Sequence, residues 1–381
     1  MSRRCWNWTQ SWLTHGTRTL PLPALFSCVV VIAKFSLFDP TRDVATLPNL
    51  VKDTKVVLTT VGPFARHGSP VVESCAKYGT HYVDITGEDG WVRQMILRWD
   101  DTAQKTGAKL VSHCGCDCIP SDATVMMLES ALPEGEELDS ALSLLQMEGG
   151  ASGGTFSTIF MGLEGEANDG HSHDFDPALK LPDGSRSTCN TKFTPPFINS
   201  VKQAGRYFGS YFTFFFLSIP NAATVKRSNA LRGRSSLLKF QEGVVHPDFK
   251  TGFVVLFTQI FLLTLLSNPV TGYLMKKALP KPGEGPTMDE MENKFFFCIT
   301  GYGVGSKGSR TRSVLYYPND VGYLETARMI SECALSLAFD EEKLPSKKGG
   351  CFTPTTALGQ NLLDRLTSTG SKAAAELVSS E

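Results

Sequence analysis

The stretch HCGCDCIPSD, residues 113–122, sets Cys114, Cys116 and Cys118 on alternate positions, with His113 before them and Asp117 and Asp122 among and after them. Thiol, imidazole and carboxylate groups at such density could ligate a metal or exchange disulfides. The spacing argues against both. Structural zinc sites are built from C-x-x-C pairs and need a second pair to close the tetrahedron, and dithiol redox centres place C-x-x-C at a helix start. Here the pattern is C-x-C-x-C, and the remaining cysteines stand singly along the chain. No metal site is expected, and the alternative is a bend that happens to be rich in sulfur.

Two further stretches carry candidate chemistry. HYVDITGED (81–89) brings Asp84, Glu88 and Asp89 together, as general base or substrate ligand. The same acids also suit a helix N-terminus, where the dipole favours negative charge. TTVGPFARHGSP (59–70) holds Gly62, where the backbone can approach a ligand closely, and Arg66 and His67, which could meet phosphate or carboxylate. A plain loop between strand and helix explains that stretch equally well.

The elements around these residues give them a common place. KVVLTTV (55–61) is a continuous apolar, β-branched run, as in a strand buried on both faces of a parallel sheet. SPVVESCAKYG (69–79) follows as a helix with Ser69 as N-cap, Pro70 in its first turn and Gly79 as its stop. THYVDIT (80–86) is a second strand, and a helix over about 90–105 carries Val92, Met95, Ile96 and Trp99 on one stripe. AKLVSHCG (108–115) is a third strand and IPSDATVMMLESAL (119–132) a further helix. Alternating strands and helices with short links give right-handed βαβ units and a doubly wound parallel sheet. Ligands of such sheets bind at the carboxyl ends of the strands. All three chemical stretches lie there.

Beyond about residue 140 the pattern becomes that of an α+β domain. GGASGG (149–154) and GYGVGSKG (301–308) lack a strand before and a helix after, so they read as turns rather than phosphate loops. Residues 165–200 read as an exposed polar excursion and 281–293 as a linker. Residues 294–317 read as two strands about a glycine loop, 322–339 as an amphipathic helix, and the tail as a last helix.

With 37 basic and 38 acidic residues, no global field recruits nucleic acid. Ten cysteines in 381 residues are too sparse for a disulfide scaffold and indicate a reducing, intracellular compartment. Residues 1–38 contain Arg3, Arg4, Arg18 and Lys34 but no acid, the composition of either a mitochondrial targeting segment or an irregular start. GFVVLFTQIFLLTLL (252–266) would reach about 22 Å as a helix, short of a ~30 Å hydrocarbon core. With the aromatic run YFGSYFTFFF (207–216), it reads either as a buried core element or as an interfacial segment on a membrane.

Taken together, TKVVLTTVGPFARHGSPVVESCAKYGTHYVDITGE and HCGCDCIPSD are similar to the saccharopine dehydrogenase-like oxidoreductases. This family includes the mycobacterial trans-acting enoyl reductases and an animal protein found on lipid droplets. The resemblance continues through GGASGGTFST (149–158), VKRSNAL (225–231), GYLETARM (322–329) and GGCFTPTTALGQNLLDRL (349–366), covering roughly residues 39–370. It implies a Rossmann-type NAD(P) domain over 39–122, a substrate domain over 123–340 and a C-terminal helical segment over 341–381 that packs back on the core. It also implies NADP or NAD as cofactor, a small-molecule or lipid-linked substrate and a lipid-droplet or membrane surface as partner; the sequence leaves the oligomeric state open, a homodimer included. On matching positions, Val61, Gly62, Pro63 and Phe64 would line the nicotinamide, Asp84, Gly87 and Glu88 would close the cleft, and Cys114, Gly115 and Asp117 would stand at the domain junction. The family's opening strand and G-A-[ST]-G-[FY]-[TV]-G loop have no counterpart in residues 1–54, whose only glycine is Gly16. A wrongly assigned start is the expected explanation, because a partial Rossmann sheet leaves the edge of the 55–61 strand uncovered.

Overall fold

The computed structural model describes residues 29–31, 46–148, 191–200, 211–234, 236–278 and 286–378. The glycine cluster at 149–154 and most of residues 1–38, 165–200 and 207–210 lie outside the described residues.

The first elements are β1 (Val29–Val31), α1 (Leu47–Lys52), β2 (Val56–Thr59), α2 (Phe64–His67), α3 (Ser69–Tyr78), β3 (His81–Asp84), α4 (Asp89–Thr106), β4 (Lys109–Val111) and α5 (Ile119–Ser130). Gly79 and Gly107 end α3 and α4 in the left-handed conformation that glycine accepts freely. Gly68, not Ser69, caps α3. The Ser69 hydroxyl is used elsewhere, accepting from Trp91 Nε1 at 3.0 Å.

The second half runs through β5 (Leu138–Glu148), β6 (Thr191–Phe193), β7 (Ile198–Ser200), β8 (Tyr211–Thr213), α6 (Ser218–Leu231), β9 (Leu238–His246), α7 (Phe249–Ser267), α8 (Pro269–Ala278) and α9 (Met288–Asn293). It continues with β10 (Phe296–Gly305), β11 (Arg310–Tyr317), α10 (Thr326–Phe339), β12 (Gly350–Phe352), α11 (Pro354–Leu358), α12 (Gln360–Ser368) and β13 (Lys372–Val378). The stretch 281–293, expected as a linker, ends in α9 because Thr287 and Glu290 form a reciprocal capping box.

Two sheets organise these elements. The first has the order β1-β2-β3-β4-β12, with β2, β3, β4 and β12 parallel. β1 pairs antiparallel with β2, Val30 opposite Leu58, so the edge expected to lie uncovered carries a strand. The second has the order β13-β11-β10-β5-β9-β8-β7, with β6 also on β9, and mixes antiparallel with parallel pairs. This is the α/β plus α+β architecture that the sequence indicates.

The C-terminal segment is not purely helical, as expected for 341–381, because it supplies a strand to each sheet. β12 joins β4, with Cys351 opposite Leu110, and β13 joins β11. The approach of β12 needs a residue without a side chain just before it. A Cβ on Gly349 would lie 2.1 Å from the Ala103 carbonyl oxygen. The Asp100 carboxylate then accepts from the Cys351 amide at 2.6 Å, and Arg227 donates to the Cys351 carbonyl at 2.9 Å.

Helix α10 fills the space between the sheets. Met329, Ile330, Cys333 and Leu337 pack in one core with Val56, Val83 and Val111 of the first sheet and Phe297, Ile299 and Leu315 of the second. The opposite face of the first sheet is closed by Leu47, Val72, Cys75 and Trp91 among others, from α1, α3 and α4. Because one core joins both sheets, Ile330→Ala is expected to cost about 2–5 kcal/mol of the stability of the whole unit. A urea titration followed separately by far-ultraviolet dichroism and tryptophan fluorescence checks this, and both transitions should move together.

Candidate functional site

The loops that follow β3 and β4 meet at Asp84, a fully buried carboxyl at the end of β3. Its Oδ1 accepts from the amides of Thr86 at 3.0 Å and His113 at 3.1 Å, and its Oδ2 accepts from the Ser112 hydroxyl at 3.1 Å. The Asp84 carbonyl accepts from the Cys114 amide at 2.7 Å. Burial pushes the Asp84 carboxyl up to about 6, against the opposing pull of the Thr86 and His113 amides.

Glu88 does the same for the turn after β2. Its two oxygens accept from the consecutive amides of Phe64 and Ala65, each at 2.8 Å, while its own amide donates to the Thr86 hydroxyl at 3.0 Å. Burial raises its carboxyl, and the two amides hold it back. Val61, Gly62, Pro63 and Phe64 are therefore fixed as a unit, with a cis Gly62–Pro63 peptide, Gly62 exposed and Phe64 buried against Trp91. Glu88, expected to meet the cofactor, clamps the turn because its oxygens are taken by backbone.

The bend after β4 runs between the two sheets. Cys114 is buried in the core between the sheets, and Gly115 packs where a Cβ would stand 3.3 Å from Thr326 Cγ2 and 3.6 Å from Ile85. Neither faces the cleft, because the chain must pass under the start of α10, where the Thr326 hydroxyl accepts from the Cys116 amide at 3.1 Å. Burial raises the thiols of Cys114, Cys116 and Cys118 well above their usual range, which keeps them protonated. Asp117 stays partly open, its carboxyl lifted by burial to about 6.

His113, quoted in the motif but assigned no role, sits in the left-handed region at φ 65°. Few residues other than glycine adopt that conformation, histidine being among those that accept it, and such positions concentrate at functional sites. Its Nδ1 lies 2.8 Å from the Thr86 carbonyl and so carries the proton, which turns Nε2 towards Asp89 Oδ1 at 3.7 Å. Burial lowers His113 to about 4 and raises Asp89 to about 7, with Lys226 of α6 pulling Asp89 the other way. A cavity of about 20 Å³, the room of a water or two, borders His113 and is lined also by Ser112, Thr224, Arg227, Phe352 and Thr353. Thr224, Arg227 and Thr353 come from α6 and the end of β12, and no local spacing ties them to the strand-end motifs. Beyond them lies Glu242 of β9, fully buried, accepting from Ser121 at 2.5 Å and Asn221 at 2.6 Å and lifted by burial to about 7.

Gly62 leaves its backbone exposed at the end of β2, a surface that fits the close approach of the nicotinamide end of a dinucleotide. The described residues there do not include a pyrophosphate cradle. The amides of the turn are already taken: Val61 donates to the Thr59 hydroxyl, Gly62 to the Thr60 carbonyl, and Phe64 and Ala65 to Glu88.

The raised carboxyls have a consequence for stability. Asp89 and Glu242 at about 7, and Asp84 and Asp117 at about 6, bind protons more tightly folded than unfolded, so their contribution is lost as pH rises through those values. His81 and His113, lowered to about 4, act in the opposite sense as pH falls below about 6.5. Four acids outweigh two histidines, and the thermal midpoint is expected to rise as pH falls from about 8 to about 6. Calorimetry at constant ionic strength checks this, and a flat or falling midpoint contradicts it.

No family model matches the chain. A protein of Mycobacterium tuberculosis named as a trans-acting enoyl reductase is 31% identical over 344 residues, covering 86% of this chain and 81% of that one. The trans-acting enoyl reductase of Mycobacterium ulcerans is 31% identical over 352 residues, with the same coverage of each. Among solved structures, the apo saccharopine dehydrogenase (L-Glu forming) of Saccharomyces cerevisiae is 11% identical, covers 90% of this chain and 88% of that one, and superposes with a TM-score of 0.43. With identity above 30% over most of both sequences, the chain belongs to the family of the trans-acting enoyl reductases, the saccharopine dehydrogenase-like oxidoreductases.

Proposed function

We propose that the protein is an NAD(P)-dependent reductase acting on a lipid-linked substrate, with the reaction centred where the loops after β2, β3 and β4 meet. The observation that carries this reading is the Asp84 junction. It ties the 84–89 loop to the His113 bend, and Glu88 of the same loop ties in the Val61–Phe64 turn, all at the carboxyl edge of the parallel sheet. Bound there, a reduced nicotinamide supplies hydride. The relatives named as enoyl reductases favour a carbon–carbon double bond next to a carbonyl as the acceptor. The chain's own residues shape the pocket, exclude water from it and hold the turn rigid.

Fluorescence titration with NADPH and NADH tests the reading: saturable binding of either supports it, and no binding at millimolar concentration rejects it. Glu88→Gln leaves one acceptor for two amides, so it is expected to weaken binding about 5–30-fold, equivalent to about 1–2 kcal/mol.

A second reading concerns where the enzyme works, and α7 favours it. Its 19 residues span about 28 Å, longer than the apolar run alone suggests, and only Gly252, Leu256 and Leu266 are buried. Phe253, Val254, Phe257, Ile260, Phe261 and Leu262 are exposed, with Phe261 at 62%. α8 folds back beside α7 and adds exposed Val270, Tyr273 and Leu274. So large an apolar surface on a water-facing helix pair suits the boundary of a lipid monolayer or bilayer. We therefore place the enzyme on an intracellular lipid surface. Flotation with phosphatidylcholine vesicles should carry the protein upward, and a Phe253, Phe257 and Phe261 to Ser triple variant should stay at the bottom while still binding NADPH. A wild-type protein that never floats rejects the second reading alone.

A further inference from the structure

We propose that Asp89 is the proton donor of this reduction and that His113 is the residue that positions it. The proposal rests on the reductase reading above. Its basis is geometric. Asp89 opens α4 at the carboxyl edge of the sheet and keeps 14% of its side chain exposed. Its Oδ1 is buried with no hydrogen-bond partner among the described residues. The nearest complementary group is His113 Nε2 at 3.7 Å, and that nitrogen is free to accept because Nδ1 is committed to the Thr86 carbonyl. A buried carboxyl oxygen without a partner costs free energy, and the ionised form costs most. The arrangement therefore keeps a proton on Asp89, directed either to Nε2 or to whatever enters the cleft.

The surroundings are consistent with that role. Asp89 faces His113 from the loop after β4 and Lys226 from α6, while Cys118 of the bend feels both Asp89 and Asp117. His113 keeps a strained backbone, which holds its ring over the start of α4 at the edge of the cavity. The carboxyl's affinity near neutrality suits a general acid at cellular pH.

The balance is simple. Saturating a polarised double bond consumes one hydride and one proton. A reduced nicotinamide, if bound at the Val61–Phe64 turn, would supply the hydride to one carbon and leave oxidised; Asp89 gives its carboxyl proton to the other carbon as the π bond breaks. The carboxylate left behind is reprotonated by water.

Two variants separate the roles. Asp89→Asn removes the proton at nearly constant shape. His113→Asn keeps a donor for the Thr86 carbonyl, and asparagine accepts the left-handed conformation, but it removes the ring nitrogen that faces Asp89. The full chain, labelled with carbon-13 at aspartate carboxyls, is titrated by NMR, and reduction of crotonyl-pantetheine by NADPH is followed in parallel. The aspartate signal with the highest midpoint, near 7 and above those of Asp84 and Asp117 near 6, should vanish in Asp89→Asn and move to lower pH in His113→Asn. Asp89→Asn should slow reduction at least about 100-fold while NADPH binding stays within about twofold of wild type. His113→Asn should shift the pH profile of the rate to lower pH along with the signal.

The proposal is overturned if no aspartate titrates near neutrality, or if Asp89→Asn reduces the probe within about threefold of the wild-type rate, well short of a general acid's share. A wild-type chain that fails to bind NADPH overturns the reductase reading, and this assignment with it. A wild type that binds and reduces while Asp89→Asn does the same overturns the assignment alone.

Discussion

The candidate site depends on one buried carboxylate. Asp84 ends β3 inside the protein, where water cannot solvate it, and three donors from the two neighbouring strand-end loops take water's place. A charge or a polar proton in that position is tolerable only while all of those donors stay in place. The constraint works in both directions: the loops hold the carboxyl, and the carboxyl fixes where the loops can be. His113 is held at a left-handed φ because its amide points to Asp84 Oδ1 and its ring to the Thr86 carbonyl. Glu88, two residues beyond Thr86, carries the same logic to the turn after β2.

A second constraint is that the chain closes on itself. The first sheet is completed by β12, contributed by residues more than two hundred positions after β4. That strand is held by Asp100 from one side and Arg227 from the other. The wall of the cavity beside His113 thus combines the strand-end loops, α6 of the second half and the C-terminal strand. With α10 packed between the two sheets, the two halves share one core. Cleft geometry and global stability are coupled for that reason, and a change in the core reaches the site through packing rather than through a hinge.

The helix pair α7–α8 follows different physics. In the cores beneath the two sheets apolar side chains are removed from water by strands and helices of the same chain. Along α7 they are left facing outward, and Asp248 caps the helix start with a hydrogen bond to the Thr251 amide at 2.8 Å. A well-formed helix with an unburied apolar surface is stable in water only if packing elsewhere supports it. Here Gly252 and Leu256 provide that anchorage, with Gln259 donating to the Phe214 carbonyl at 3.2 Å.

The sequence by itself determined the local elements and their kind. Continuous β-branched runs, glycine stops and proline-led helix starts fix a parallel sheet because each is a short-range preference of the backbone. The same runs put the chemical residues at strand ends, and the family motifs could be read from contiguous residues. Only the tertiary structure decided which of those residues face the cleft. Cys114 and Gly115 turn into the core, Glu88 is consumed by backbone amides, and His113 is brought within 3.7 Å of Asp89. The physical reason is that a side chain's direction at a loop depends on which distant donor satisfies it, and those donors lie on other strands. The capture of β12 and β13 by the two sheets has the same origin: short strands carry too little periodicity to announce themselves, and pairing with a distant partner makes them strands at all.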